Sequence, residues 1–112
     1  MTSVVNIRKA ELKKQGYRDL EHWIEDENHV YIGRKNPYVK GTHSSIWRNK
    51  FTVKMHGREG CIEQYEKYVR GRKDLMSQLP SLKGKVLGCW CKPEGCHGDV
   101  LVKLLGELEK ST

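Results

Sequence analysis

The sequence predicts a small α/β domain, with a short and mainly parallel sheet flanked by helices. Three observations carry this reading. β-Prone apolar runs occur at Val4-Val5-Ile7, Val30-Tyr31-Ile32 and Lys85 to Cys91, helix-spaced apolar residues fall between and after them, and 112 residues leave room for one core. A chain of this length buries roughly two thirds of its unfolded surface, which assigns residues 1–112 to a single domain.

Val4, Val5 and Ile7 open the chain as a strand, and Val30-Tyr31-Ile32 repeats the pattern before Gly33; both read as interior strands. Residues 9–29 between them read as an insertion. There Gly16 interrupts the Ala10 to Gln15 segment, and Leu20, Trp23 and Ile24 share one face of a short helix among Asp19, Glu21, Glu25, Asp26 and Glu27. Residues 33–56 are rich in Gly, Asn, Pro, Thr, Ser and basic side chains, a long loop of the kind that binds ligands. From Arg58 the pattern turns helical through Cys61, Ile62, Tyr65, Tyr68 and Val69. A second helix from Arg72 to Leu79 presents Leu75, Met76 and Leu79, and Pro80 stops it. Lys85 to Cys91 is the third strand, and Pro93 and Gly95 form the turn after it. Val100, Leu101, Leu104, Leu105 and Leu108 then define an amphipathic C-terminal helix with Asp99 as its N-cap.

The formal net charge is +7, and it is placed unevenly. Residues 33–85 hold Arg34, Lys35, Lys40, Arg48, Lys50, Lys54, Arg58, Lys67, Arg70, Arg72, Lys73, Lys83 and Lys85 against Glu59, Glu63, Glu66 and Asp74, while both flanks are near balance. Such a field favours an anionic partner, a nucleotide or phosphorylated metabolite first and nucleic acid second; a solvated basic face is the plain alternative. No run approaches the roughly 18 apolar residues of a membrane span, and the first residues lack a signal peptide's pattern, so a soluble, cytoplasmic protein is expected.

The densest chemistry lies in Gly88-Cys89-Trp90-Cys91-Lys92-Pro93-Glu94-Gly95-Cys96-His97-Gly98-Asp99. Cys89, Cys91, Cys96 and His97 offer three thiolates and an imidazole that suit zinc, although the Cys-x-Cys-x4-Cys-His spacing departs from the usual knuckles, and metal is not the preferred reading. Cys96, His97 and Asp99 form a candidate catalytic group, with a thiolate favoured by a helix start and an imidazole to move its proton. The preferred reading is an exposed anion-binding turn, where Gly98 permits close approach of a phosphate or ribose. Asn6, Arg8 and Arg34 end their strands at the same sheet edge, Arg34 being suited to clamp planar oxygens, and Thr42, Ser44 and Asn49 lie on the overlying loop. Trp47 is a candidate stacking platform; Trp23, Trp90, Tyr65 and Tyr68 are assigned to packing, as are Cys61 and Cys89.

Val5-Asn6-Ile7-Arg8, Val30-Tyr31-Ile32-Gly33-Arg34, the loop from Gly41 to Phe51 and the Cys/His signature together resemble an uncharacterised domain family of bacteriophages, bacteria and large DNA viruses. The resemblance covers most of the chain outside residues 9–29. In that family the loop reads Gly-Ser followed by Trp-Gly-Asn-Pro-Phe; Trp47, Asn49 and Phe51 match here, whereas Arg48 and Lys50 replace the glycine and proline. The family brings no settled activity with it.

The leading functional reading is a small nucleotide- or phosphometabolite-binding domain, as an enzyme of nucleotide or nucleic-acid metabolism or as a binding module. Glycosidic, phosphoryl and acyl transfer all stay open, since no Walker loop, dinucleotide fingerprint or serine triad is present. Two others stand beside it: a nonenzymatic basic nucleic-acid binder with a structural zinc site, and an interaction protein using the charged helix from Glu63 to Lys73.

Overall fold

A computed structural model describes residues 2–51, 53–90 and 95–110, Val53 by its backbone alone. The elements run β1 (Ser3–Asn6), α1 (Lys9–Lys14), α2 (Leu20–Trp23), β2 (His29–Tyr31), α3 (Val53–Arg70), α4 (Lys73–Gln78), a 3-10 turn (Leu79–Leu82), β3 (Val86–Cys89) and α5 (His97–Lys110). The three strands are all parallel, in the order β1-β3-β2. The runs at Val4 and Val30, read as interior strands, are therefore the sheet's edges, and the last strand in sequence is its centre. Apolar composition did not separate the two cases because the edge strands are also covered on both faces.

Side-chain alternation along the strands divides the core in two. Val4, Val30, Ile32, Leu87 and Cys89 face a large cluster with α3, α4, the 3-10 turn and α5. Val5, Ile7, Tyr31 and Val86 face a smaller one with Leu12, Leu20 and Trp23 of α1 and α2. Helices on both faces are what parallel strands require, because each return to the starting edge needs a crossover. Residues 9–29 supply the crossover from β1 to β2, and the helix break read at Gly16 is present, with φ at 94°.

Gly88 sets the depth of the smaller cluster. A Cβ there would lie 2.7 Å from the Trp23 ring and 2.8 Å from Ile7, so only glycine lets the indole rest against the central strand. On the other face α3 is broken at Gly57, φ 70°, and its longer part starts afresh at Arg58. An ion-pair network ties α3 to α5: Arg70 contacts Glu66 at 2.9 Å and Glu107 at 2.7 Å, and Lys103 contacts Glu66 at 3.0 Å. Hydrogen bonds from Lys103 and Arg70 hold the Glu66 carboxyl below its ordinary range. Part of the charged face of α3 is thus engaged within the molecule. No helix among the described residues is long and apolar enough to cross a membrane.

Candidate functional site

A cleft of about 510 Å³ opens at the carboxyl edge of the sheet. Its walls come from the end of β2 and the loop after it (Tyr31, Gly33, Arg34, Lys35, Tyr38), from Asn49 and Phe51, from Arg58, Cys61 and Ile62 on α3, and from Trp90, Gly95, Cys96 and His97. Parallel sheets leave this edge open because the strands end together and their connections part around it.

The wall at α5 is built by a helix cap. α5 begins at His97, so Cys96, not Asp99, holds the N-cap position. The Asp99 carboxylate reaches back to accept from the Cys96 backbone N–H at 3.1 Å, and the Gly98 N–H donates to Cys96 Sγ at 3.4 Å. The Asp99 half is that of a capping box, while the thiol, standing where serine or threonine is usual, caps the second N–H of the helix and not the third. The turn is also buried, contrary to the exposed edge read from the sequence: Cys96 is 1% and His97 8% exposed. Gly98 meets the sheet, since a Cβ there would fall 2.9 Å from Ile32 and 3.0 Å from Val4. Its lack of a side chain serves helix-to-strand packing.

His97 Nε2 lies 2.8 Å from the Ile32 carbonyl. A carbonyl only accepts, so Nε2 carries the proton and Nδ1 presents its lone pair to Cys96 Sγ at 3.7 Å. Burial pushes the His97 pKa down, and the nearby Arg34 charge adds to this, while the Ile32 carbonyl and Asp99 oppose it. The Tyr65 ring meets the imidazole edge-on at 5.0 Å, and its hydroxyl donates to the Trp47 carbonyl at 2.7 Å. Burial, then Cys96 and Tyr68, raise the Tyr65 pKa far above the phenol range. A thiol beside a neutral imidazole is a nucleophile beside its base; here the same contacts also complete the cap.

The Tyr31-Ile32-Gly33-Arg34 motif forms the opposite wall. The Tyr31 ring folds over Gly33, where a Cβ would stand 2.7 Å from its Cζ, and its hydroxyl donates to the Arg34 carbonyl. Trp90 Nε1 donates to the same hydroxyl at 3.0 Å, and burial raises the Tyr31 pKa. The Arg34 guanidinium donates to the Asn49 carbonyl, from Nε at 2.9 Å and from Nη2, and reaches the Phe51 carbonyl at 3.5 Å. It thus clasps the loop while placing its charge in the cleft wall. Arg58 Nη1 donates to the Gly95 carbonyl at 3.1 Å and joins α3 to the turn before α5.

Of the residues read as a site, Arg34, Asn49, Cys96 and His97 line one cleft, and Asp99 supports them from behind. Asn6 and Arg8 do not line it; Asn6 Oδ1 accepts from the Arg8 N–H at 2.8 Å at the start of α1. Thr42 serves the loop, its Oγ1 accepting from the Asn36 N–H at 2.9 Å and lying 2.9 Å from both the Asn36 and the Val39 carbonyl, either of which can take its proton. Ser44 is exposed, whereas its neighbour Ser45 is buried, its N–H donating to the Gly33 carbonyl at 3.2 Å and its Oγ accepting from the Trp47 N–H at 3.0 Å. Trp47, read as a stacking platform, is 4% exposed and belongs to the core. Trp90, read as core, is partly buried against the smaller cluster and also lines the cleft. Cys91, one of the four residues of the zinc reading, lies outside the described residues, and among those described no three His, Cys, Asp or Glu side chains gather in a metal-holding group. Arg58 was visible only as one cation in a basic run; the signal that singles it out is Gly57 before it, which restarts the helix beside the cleft.

Comparison with known proteins places the chain in a family. A model of a domain of unknown function, DUF4326, matches residues 16–107, beginning inside the segment read as an insertion, and the chain belongs to that family. It is 40% identical over 91 residues to an uncharacterized protein of Acanthamoeba polyphaga mimivirus, covering 72% of this chain and 69% of that one. It is 34% identical over 70 residues to an uncharacterized 12.4 kDa protein of the nrdA-td intergenic region of Enterobacteria phage T4, covering 59% of this chain and 65% of that one, just under two thirds of the relative. No solved structure matches the chain.

Proposed function

We propose that this member of the DUF4326 family binds a nucleotide, or a phosphorylated metabolite of like chemistry, in the cleft at the carboxyl edge of its sheet. One observation carries the reading. Arg34, Lys35 and Arg58 line the cleft together with Tyr31, Tyr38, Phe51 and Trp90, and no carboxylate is found among its described lining residues. Guanidinium and ammonium groups suit a phosphate, and aromatic walls offer a base or ribose a flat apolar surface. The volume, about 510 Å³, lies in the range of small-molecule sites. Arg34 is pre-oriented by the loop it clasps, which lowers the ordering cost of binding.

Calorimetric titration of the full chain with nucleoside mono-, di- and triphosphates tests this. Saturable binding is expected, with Arg58→Ala weakening it by about tenfold, the equivalent of one lost charge-assisted hydrogen bond. If no nucleotide binds while single-stranded oligonucleotides bind with a steep salt dependence, the nucleic-acid reading replaces this one. A second reading, catalysis by the Cys96 thiol with His97 as base and Asp99 behind it, is favoured by the 3.7 Å contact between Sγ and Nδ1. It requires a bound substrate to be turned over, and Cys96→Ser to abolish turnover while binding persists.

A further inference from the structure

We infer that the ligand is bipartite, a nucleoside diphosphate extended by a neutral, hydroxyl-rich group such as a sugar. This rests on the nucleotide reading of the first cleft and adds to it a second. The second cleft, of about 430 Å³, adjoins the first, and Tyr38 and Trp90 line both. Its chemistry differs from that of its neighbour. Ile7, Leu12, Leu20 and Val39 supply apolar surface, while Lys9, Lys40, Asp19 and Glu21 supply two ammonium groups and two carboxylates. A phosphate gains little where carboxylates balance the ammonium groups. A hydroxyl both donates and accepts, so a polyol can use the two kinds of partner together. The C–H face of a sugar packs on apolar and aromatic walls as its hydroxyls meet the polar ones.

The surroundings of this second cleft are fixed by structure. Gly41, with φ at 95°, sits against α2, where a Cβ would lie 3.1 Å from the Glu21 backbone nitrogen, and this close approach sets Val39 and Lys40 opposite Glu21. Asp19 Oδ1 accepts from the His22 N–H at 2.9 Å, which orients its carboxylate. Trp90 is held by its bond to Tyr31, whereas Tyr38 is 94% exposed at the junction of the two clefts. A ligand filling one cleft and passing Tyr38 and Trp90 enters the other, so the polyol is joined to the nucleotide and is not a separate molecule.

The test compares matched pairs, ADP with ADP-ribose and UDP with UDP-glucose, titrated by calorimetry into the full chain and into a Glu21→Ala, Lys40→Ala double variant. Both positions are exposed, so the variant retains the fold. In at least one pair the sugar-bearing compound is expected to bind about tenfold more tightly than the diphosphate, and the double variant to erase that gain without changing diphosphate affinity. Equal affinities within both pairs, or a gain that survives the double variant, overturn the bipartite ligand and leave the nucleotide site standing. Failure of all four compounds overturns the nucleotide reading and this inference together.

Discussion

Cys96 starts α5 in a position where serine, threonine, asparagine and aspartate are the common choices, and sulfur there accepts from the Gly98 N–H while Asp99 answers through its carboxylate. The two residues satisfy backbone donors that a buried helix start would otherwise leave unpaired. Asp99→Ala is expected to lose about 1 kcal/mol of stability in urea denaturation, and Cys96→Ala a similar amount, whereas Cys96→Ser keeps most of it. The sequence marked residues 96–99 as chemically dense but hid the cap, because a thiol at the first position obscures the familiar Ser/Thr-x-x-Glu pattern. The loop misled in a related way. Ser44 and Ser45 are indistinguishable by composition, and only the fold, by burying the second beneath the Gly33 carbonyl, shows which one anchors the chain.

At the level of elements, periodicity found the three strands and the helices but not their order in space. A continuous apolar run reports that a strand is covered on two faces; neighbours in a sheet are decided by where the crossovers return. Gly88 shows what that arrangement demands, since its missing side chain receives the Trp23 ring from α2. Gly88→Ala is expected to cost about 1–3 kcal/mol through overpacking, measured as a fall in the denaturation midpoint with the m-value unchanged. Val30-Tyr31-Ile32-Gly33-Arg34 was legible as the end of a strand. That its arginine would clasp carbonyls at Asn49 and Phe51 was not, because both partners lie in a loop whose path no periodicity describes.

For the whole molecule, His97 joins the two elements that flank the cleft, through its bond to the Ile32 carbonyl. Its pKa is depressed in the fold, chiefly by burial, so the unfolded chain takes up a proton first as the pH falls. The stability tied to its neutral form is fully present above the ordinary histidine value, about 6.5, and declines as the pH falls from there toward the depressed folded value. Thermal denaturation between pH 8 and pH 5 is expected to show this loss, and His97→Gln to flatten that part of the profile at a lower overall stability. An unchanged profile in the variant would remove His97 as its source.

The placement of β3 between β1 and β2 bears on how the molecule comes into being. Both earlier strands pair with β3 and not with each other, so during synthesis they wait with their sheet hydrogen bonds unmade until Val86 to Cys89 leaves the ribosome. The helices made in the meantime have no sheet to cover. Val86 to Cys89 is therefore a keystone inserted late, and a nascent chain halted ahead of it presents two open strand edges to whatever else is being made nearby.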